Sequence, residues 1–463
     1  MSDSPAPPDP GPAMVRPGGH SPRQLLTAVS GSLVMSLAGL GIGFASSVVL
    51  ARVLAPAAFG AYSYAFSLVT LLALLPQMGI PTLLIRETAR AEAEQAWPRM
   101  RGLWRWATRS ILATSLATAV VVAVVIFLDG SVAGAKEKAL LIRLLLSPLI
   151  SLATARSAAL IGLHKVVLAQ LPDTVVRPLL LMAFVMAAWW MGGSLDAGRA
   201  MLLHAAAAAL ALCLGVTLLM RARPATMRDA SPDMTNASAW RRATWTLGLV
   251  SGLQIFSGEL GVVLVGMLRS EAETGAYKVA VTAAALGRIG YGAIAVALGP
   301  AIARLYSRGE RDQVQKVLGA AAWGSTLVTL PFLVVVLAGG RPLVAFLYGD
   351  AYSDATAPLV ILALAQALTS YFGLAATTLG MTGHERDCVK WLLLSSAVNC
   401  AISIAFVPAY GIVAGAIAQL LATAVWNAGF WWTVRVHTGL DTRFRASRAL
   451  GAGQILRLLR EKT

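Results

Sequence analysis

The chain of 463 residues is 57% hydrophobic and only 13% charged, about half the roughly 25% charged residues of average soluble composition. With a mean hydropathy of +0.70, a soluble globular enzyme and a disordered or fibrous chain are both excluded, which leaves a polytopic membrane protein. The 38 Lys+Arg outnumber 22 Asp+Glu for a net charge of +16, so the placement of the cations becomes diagnostic.

Residues 1–24 hold seven prolines and no apolar run, and are expected to form a disordered cytoplasmic tail rather than a cleavable signal. A membrane-crossing helix needs about 20 mostly apolar residues, because lipid cannot satisfy its backbone. Twelve stretches qualify: 27–51, 59–85, 106–128, 140–163, 172–192, 199–220, 244–268, 277–303, 317–339, 355–381, 389–408 and 411–434. The runs are continuous rather than alternating, which favours an all-α fold over a β-barrel. Taking the span ends to within a few residues, the two tails and every second loop carry 26 of the Lys+Arg. The opposite loops carry seven, and five lie inside spans. The positive-inside rule then puts both termini in the cytoplasm. It also accounts for the net charge as topology and attraction to anionic membrane lipid, with no need for nucleic acid. Nine of the twelve tryptophans fall near span ends, as interfacial belts require.

The longest connection, residues 221–243, divides the chain into bundles of six spans at 25–220 and 244–436, followed by a basic cytoplasmic tail at 437–463. Val-Val-Leu at 48–50 recurs at 262–264, and Gly-Ala-Tyr at 60–62 recurs at 275–277, at offsets of 214 and 215. Both copies enter the membrane in the same direction, so the expectation is two pseudo-symmetric bundles in parallel orientation that rock about a central site.

Three motifs stand in order along these segments. The run Ala51-Arg52-Val53-Leu54-Ala55-Pro56-Ala57-Ala58-Phe59-Gly60-Ala61-Tyr62 resembles the A-R-x-L-G-P-x-x-F-G-x-Y opening of oligosaccharide flippases. Leu343 to Tyr352 (LVAFLYGDAY) is similar to their stretch after span 9, and Val407 to Ala416 (VPAYGIVAGA) to their junction of spans 11 and 12. The chain therefore resembles the polysaccharide-biosynthesis branch of the multidrug/oligosaccharidyl-lipid/polysaccharide exporter superfamily, with Ala55 in place of the usual Gly. The resemblance implies a flippase that turns undecaprenyl-diphosphate-linked saccharide across the bacterial inner membrane, for polysaccharide or exopolysaccharide assembly. Spans 2 and 3 show no mid-membrane Arg, which argues against lipid II as substrate. Other polysaccharide-assembly proteins are conceivable partners.

Ionisable groups inside a membrane are costly and are functional candidates by default. Arg288 in span 8 shares a small-residue face with Ala284, Ala285, Gly292, Ala295 and Gly299, and Glu259 in span 7 shares one with Gly248, Gly252 and Gly266. Both charges lie fifteen residues from a cytoplasmic end, about 22 Å at ~1.5 Å per residue, so adjacent helices are expected to bring them together. Arg288 would offer its planar fork to a diphosphate or acidic sugar, with Glu259 holding it in the empty state or taking a coupling cation. The alternative is a structural ion pair. Arg52 is either a cavity cation or an interfacial snorkeller, and Arg156 either snorkels or meets an anionic headgroup. Asp173 and Arg177, four apart in the favourable order, are expected to pair, as a coupling element or a structural link. Gln254, Gln366, Asn399 and Asn427 are mid-span candidates for sugar hydroxyls, with helix-to-helix hydrogen bonding as the commoner role.

No cofactor or metal is expected. The five histidines lack ligand spacing, Cys213, Cys388 and Cys400 read as small buried hydrophobes, and no Walker-type loop is present. Asn236-Ala237-Ser238 matches a glycosylation sequon in a loop assigned to the cytoplasm. The basic tail with Leu450, Ile455, Leu456, Leu458 and Leu459 fits a surface helix or a frayed end. A cation-coupled multidrug antiporter of the same fold is the main alternative, although spans 1 to 3 carry no central carboxylate. A membrane polymerase would need a large catalytic loop or clustered carboxylates, and a scaffold would use the basic surfaces.

Overall fold

A computed structural model describes residues 22–128, 146–192 and 195–445. Over these residues the fold is all-helical, with ten helical segments long and apolar enough to cross a membrane. Most of the expected N-terminal tail, part of span 4 and the C-terminal leucines lie outside the described residues.

In chain order, α1 (Pro22–Val53) is followed by α2 (Pro56–Leu72), the short α3 (Leu74–Gln77) and α4 (Ile80–Ala93). Pro56 fits the first turn of α2, where its missing N–H costs nothing. The second break comes at Gly79, whose φ of 69° is open to glycine at little cost. Next come α5 (Trp97–Leu128), α6 (Leu146–Gly162) and α7 (Val166–Leu171). A π-helical turn at Pro172–Val176 leads into α8 (Arg177–Trp190), then α9 (Ala197–Ala222). After the connection come α10 (Ala237–Leu268), α11 (Glu271–Ala284), a 3₁₀ turn at Ala285–Arg288 and α12 (Ile289–Ser307). The remainder is α13 (Arg311–Tyr348), α14 (Thr356–Phe372), α15 (Ala375–Met381) and α16 (Glu385–Thr438).

Helix α6 is the shorter apolar element in the place expected for span 4. Spans 11 and 12 join in α16, whose 54 residues are broken only at Gly411, with φ 64° and ψ −153°. That break frees the carbonyl of Pro408, and Arg269 Nη1 donates to it at 3.0 Å. Irregular backbone in a membrane helix is tolerated where a neighbouring side chain re-satisfies it in this way.

Lipid tails are as apolar as leucine, so helices in a membrane associate by close packing of small residues rather than by hydrophobic exclusion. The clearest instance is where α2 crosses α11. A Cβ on Gly60 would lie 1.7 Å from the carbonyl oxygen of Glu271, and one on Gly275 would lie 2.5 Å from that of Pro56. Each glycine thus faces the carbonyl four residues before the other, a reciprocal contact between the two Gly-Ala-Tyr copies. At the far end of this helix run, a Cβ on Gly79 would meet the Thr244 carbonyl at 2.1 Å, and one on Gly248 the Gly79 nitrogen at 2.6 Å. The two halves of the chain therefore touch backbone to backbone at both ends.

The segment after α16 folds back and is tied down by Asp441. This carboxylate is 5% exposed and meets Arg443 Nε at 3.2 Å, Arg445 Nη2 at 2.6 Å and Arg435 Nη1 at 3.5 Å. Trp431 Nε1 donates to it at 3.0 Å, and the Asp441 backbone exchanges two hydrogen bonds with Gln315 on α13. Burial alone would raise its pKa, but the Arg443 and Trp431 hydrogen bonds prevail and hold it at about 2. A folded pKa below the unfolded value of about 3.9 stabilises the native state above that value, and the contribution is lost as pH falls from about 4 towards 2. Proteolysis of the C-terminal segment should accordingly accelerate over that pH interval in wild type. In Asp441→Asn it should be fast already at pH 7 and show no acid dependence there.

Candidate functional site

Two cavities flank the contact between the halves. The first, about 310 Å³, is lined by α10, the 3₁₀ turn, α12, α14, α15 and α16, with Gln254, Arg288, Gln366 and Asn399 on its wall. Tyr291, Thr369, Ser395, Ser396 and Gln419 add further hydroxyl and amide groups, and no Asp or Glu is in the lining. Arg288 ends the 3₁₀ turn and borders this cavity. Gln254 and Gly258, four apart on α10, bound the same space.

Asn399 is held in place, its Nδ2 donating to Gln419 Oε1 at 2.9 Å and its Oδ1 accepting from Ser403 at 3.3 Å. Asn427 is buried and does not line the cavity. Its Nδ2 donates to Thr369 Oγ1 at 3.2 Å and to the Thr423 carbonyl at 2.9 Å, the structural role that polar residues between membrane helices commonly fill.

The second cavity, about 480 Å³, lies among α1, α2, α8, α9 and α11 and carries Asp173, Arg177, His204 and Lys278. His204 Nδ1 is hydrogen-bonded to the Tyr62 hydroxyl at 2.7 Å, and its ring stacks on Phe66 with centroids 4.9 Å apart. Tyr277, the counterpart of Tyr62, reaches the Gly415 carbonyl at 3.4 Å.

Two expected pairings and two expected placements are revised by this geometry. Glu259 does not meet Arg288. It accepts from Ser67 Oγ at 2.6 Å and stands 4.0 Å from Lys278 Nζ. Equal depth in two helices does not set the direction each side chain takes. Residues 254, 257 and 258 face the first cavity, while Glu259, about 100° further round the helix, faces α2 and α11.

Asp173 likewise pairs not with Arg177 but with Arg156, whose Nη1 also donates to the Ala169 carbonyl at 3.0 Å. Asp173 and Arg177 both border the second cavity, but the Asp173 carboxylate is engaged by Arg156 on α6. Arg156 is only 4% exposed and so does not snorkel. Arg52, finally, lines neither cavity. It donates to the carbonyls of Leu347 at 2.8 Å and of Phe346, closing the last turn of α13 across the two halves.

Two cavity residues escaped sequence reasoning. Lys278 is the second residue of the expected span 8 (277–303) and counts there with the external connection as a charge at the span end. The helix begins at Glu271, behind a capping box in which Ser270 and Glu273 bond reciprocally. The Ser-x-x-Glu spacing was the available signal. His204 was set aside for lacking a metal partner, yet a lone histidine in an alanine-rich span is itself an intramembrane ionisable group. Among the described residues, no cluster of three or more His, Cys, Asp or Glu is arranged to hold a metal ion.

The pattern of the family described as "Polysaccharide biosynthesis protein" matches residues 25–306. One relative, a probable low-salt glycan biosynthesis flippase (Agl15) of Haloferax volcanii, is 22% identical over 170 residues. That match covers 37% of this chain and 36% of the relative, so the chain spans little more than a third of its length. Among solved structures, the lipid II flippase MurJ in an inward closed conformation superimposes with a TM-score of 0.70 at 13% identity, covering 90% of this chain and 88% of that one. An inward-facing multidrug resistance MATE family transporter of the MOP superfamily gives 0.66 at 14% identity, covering 84% and 92%. At these identities the structural likeness concerns the fold.

Proposed function

Because the chain belongs to the polysaccharide biosynthesis protein family, we propose that it is a flippase carrying undecaprenyl-diphosphate-linked saccharide across the bacterial inner membrane. Its termini face the cytoplasm, and two six-helix bundles alternate access to the space between them. One observation carries the choice of an anionic substrate: Arg288 borders a cavity rich in amides and hydroxyls whose wall holds no carboxylate. A guanidinium there matches diphosphate oxygens in a bidentate manner, while Gln254, Gln366 and Asn399 suit sugar hydroxyls.

Across the contact, Arg177 and Lys278 supply a second cationic region, so an anion moving between halves meets positive charge on both sides. The two carboxylates nearby are already engaged, Asp173 by Arg156 and Glu259 by Ser67 and Lys278. A cationic drug would find no free carboxylate in either lining. Lys278 and Glu259 bridge α11 and α10 beside α2, which makes this pair the candidate coupling element in place of Glu259 with Arg288.

The test is a leaflet assay in proteoliposomes with fluorescent undecaprenyl-diphosphate-linked oligosaccharide. A hydrogen bond to a charged group contributes roughly 1.5–3 kcal/mol, so Arg288→Ala should slow translocation about 10- to 100-fold. Arg288→Lys should recover part of that loss, and the thermal midpoint should not change. Unimpaired translocation by Arg288→Ala would remove the anion role. A folded wild-type protein that moves no lipid-linked saccharide would sink the flippase assignment itself.

A further inference from the structure

A third cavity, about 750 Å³ and larger than either cavity at the contact, opens on the flank of the first half. Every lining residue lies between Leu84 and Met227, so none comes from the second half. Five arginines line it, Arg101, Arg105, Arg109, Arg156 and Arg223, with no Asp or Glu.

Three of these form a column on one face of α5 at successive four-residue steps, spanning about 12 Å at ~1.5 Å per residue. Like charges at that spacing destabilise a helix, and here no cavity-wall carboxylate offsets them. Arg101 is occupied by the carbonyls of Arg228 at 2.8 Å and Ala230 at 2.5 Å, which anchors the connection between halves beside the cavity mouth. Arg156 is neutralised by Asp173, though its Nε is buried with no hydrogen-bond partner. Arg105, Arg109 and Arg223 enter no ion pair among the described residues, and Arg223 Nε is likewise buried and unpartnered. Facing this basic edge is an apolar wall from α9, formed by Leu212, Val216, Leu219 and Met220.

We infer that this flank cavity is a binding site for an anionic phospholipid, with its phosphate held by Arg105, Arg109 and Arg223 and an acyl chain laid along α9. An arginine edge joined to an apolar wall matches the two ends of that molecule, and basic recesses between membrane helices on the cytoplasmic side suit anionic headgroups. The inference uses the cytoplasmic placement of the α4–α5 connection from the proposed topology, but not the identity of the transported saccharide. The lipid would brace α5 against α9 and the connection that joins the halves.

Native mass spectrometry of the full chain, released from mixed phosphatidylglycerol and phosphatidylcholine, tests it. Wild type should retain phosphatidylglycerol in preference to phosphatidylcholine. The double variant Arg105→Gln/Arg109→Gln should lose that preference at least tenfold, while Arg341→Gln, an exposed arginine outside the cavity, should keep it. Both target side chains are exposed and free of ion pairs, so the double variant is expected to fold, and an unchanged thermal midpoint in detergent confirms it. Equal retention by wild type and double variant would overturn the site. So would displacement of the lipid by millimolar inorganic phosphate, which would make it a simple anion site. Stoichiometric displacement by undecaprenyl diphosphate would also overturn it by assigning the cavity to substrate. None of these readouts depends on flipping, so the site and the proposed function fail separately.

Discussion

Gly60→Leu should reduce translocation at least tenfold without unfolding the protein. The obstacle to a side chain at this position is backbone: a Cβ would sit 1.7 Å from the Glu271 carbonyl oxygen and 2.8 Å from the Gly275 nitrogen. Neither atom can rotate away, so α2 and α11 must separate. Overpacking costs typically 1–3 kcal/mol, and a collision with main chain belongs at the upper end, enough for a roughly 100-fold shift towards states in which this end is parted. A cycle that needs the end closed then stalls, whereas each bundle keeps its own packing. Gly275→Leu should do the same, because the contact is reciprocal. Gly41→Leu is the control, since nothing lies within 4 Å of a Cβ there. The readouts are the initial rate in proteoliposomes and labelling of a cysteine placed at the buried Ser63, which should rise in both contact variants. Wild-type rates in Gly60→Leu would show that this end need not close during transport.

The largest loss of stability is expected from Arg156→Met. Its guanidinium is 4% exposed, pairs with Asp173 and caps the Ala169 carbonyl just before the π turn. It lies so close to α9 that a Cβ on Gly215 would fall 2.4 Å from its Nε. Removing one partner of a buried pair costs about 3–5 kcal/mol, chiefly because the other charge is left uncompensated, whereas replacing both by apolar groups is often close to neutral. Thermal unfolding in detergent should therefore show a large drop for Arg156→Met and for Asp173→Leu alone. The double variant Arg156→Met/Asp173→Leu should recover more than half of it. Singles within about 1 kcal/mol of wild type would show that the pair does not hold α6, α7 and α9 together.

The existence and order of the spans were legible because hydropathy is a local property, and ten apolar segments plus α6 occupy the expected places. Which partner a charged side chain takes was not legible, because the competing partners come from distant parts of the chain. Arg156 on α6 takes Asp173 in place of Arg177, and Ser67 and Lys278 take Glu259 in place of Arg288. Gln254, Gln366, Asn399 and Arg288, all singled out as polar residues within apolar spans, line the first cavity. Polar residues in apolar helices have few places to go but inward. What they share inside, a cavity or a mutual hydrogen bond, depends on long-range contacts, and only the structure separates Asn427 from the others.

The reciprocal glycine contact resembles the isologous interface of a two-fold dimer, in which one surface serves both partners, here within a single chain. Repeated shape does not bring repeated charge with it. Applying the offsets of 214 and 215 that relate the copies, Glu259 corresponds to Ala45, Lys278 to Ser63 and Arg288 to Ala73. These three ionisable groups have no charged counterpart in the first copy, where small neutral residues stand at the matching positions. Two matching half-surfaces therefore meet with unmatched electrostatics, so a rocking motion that is geometrically even-handed carries an anion through a field that is not.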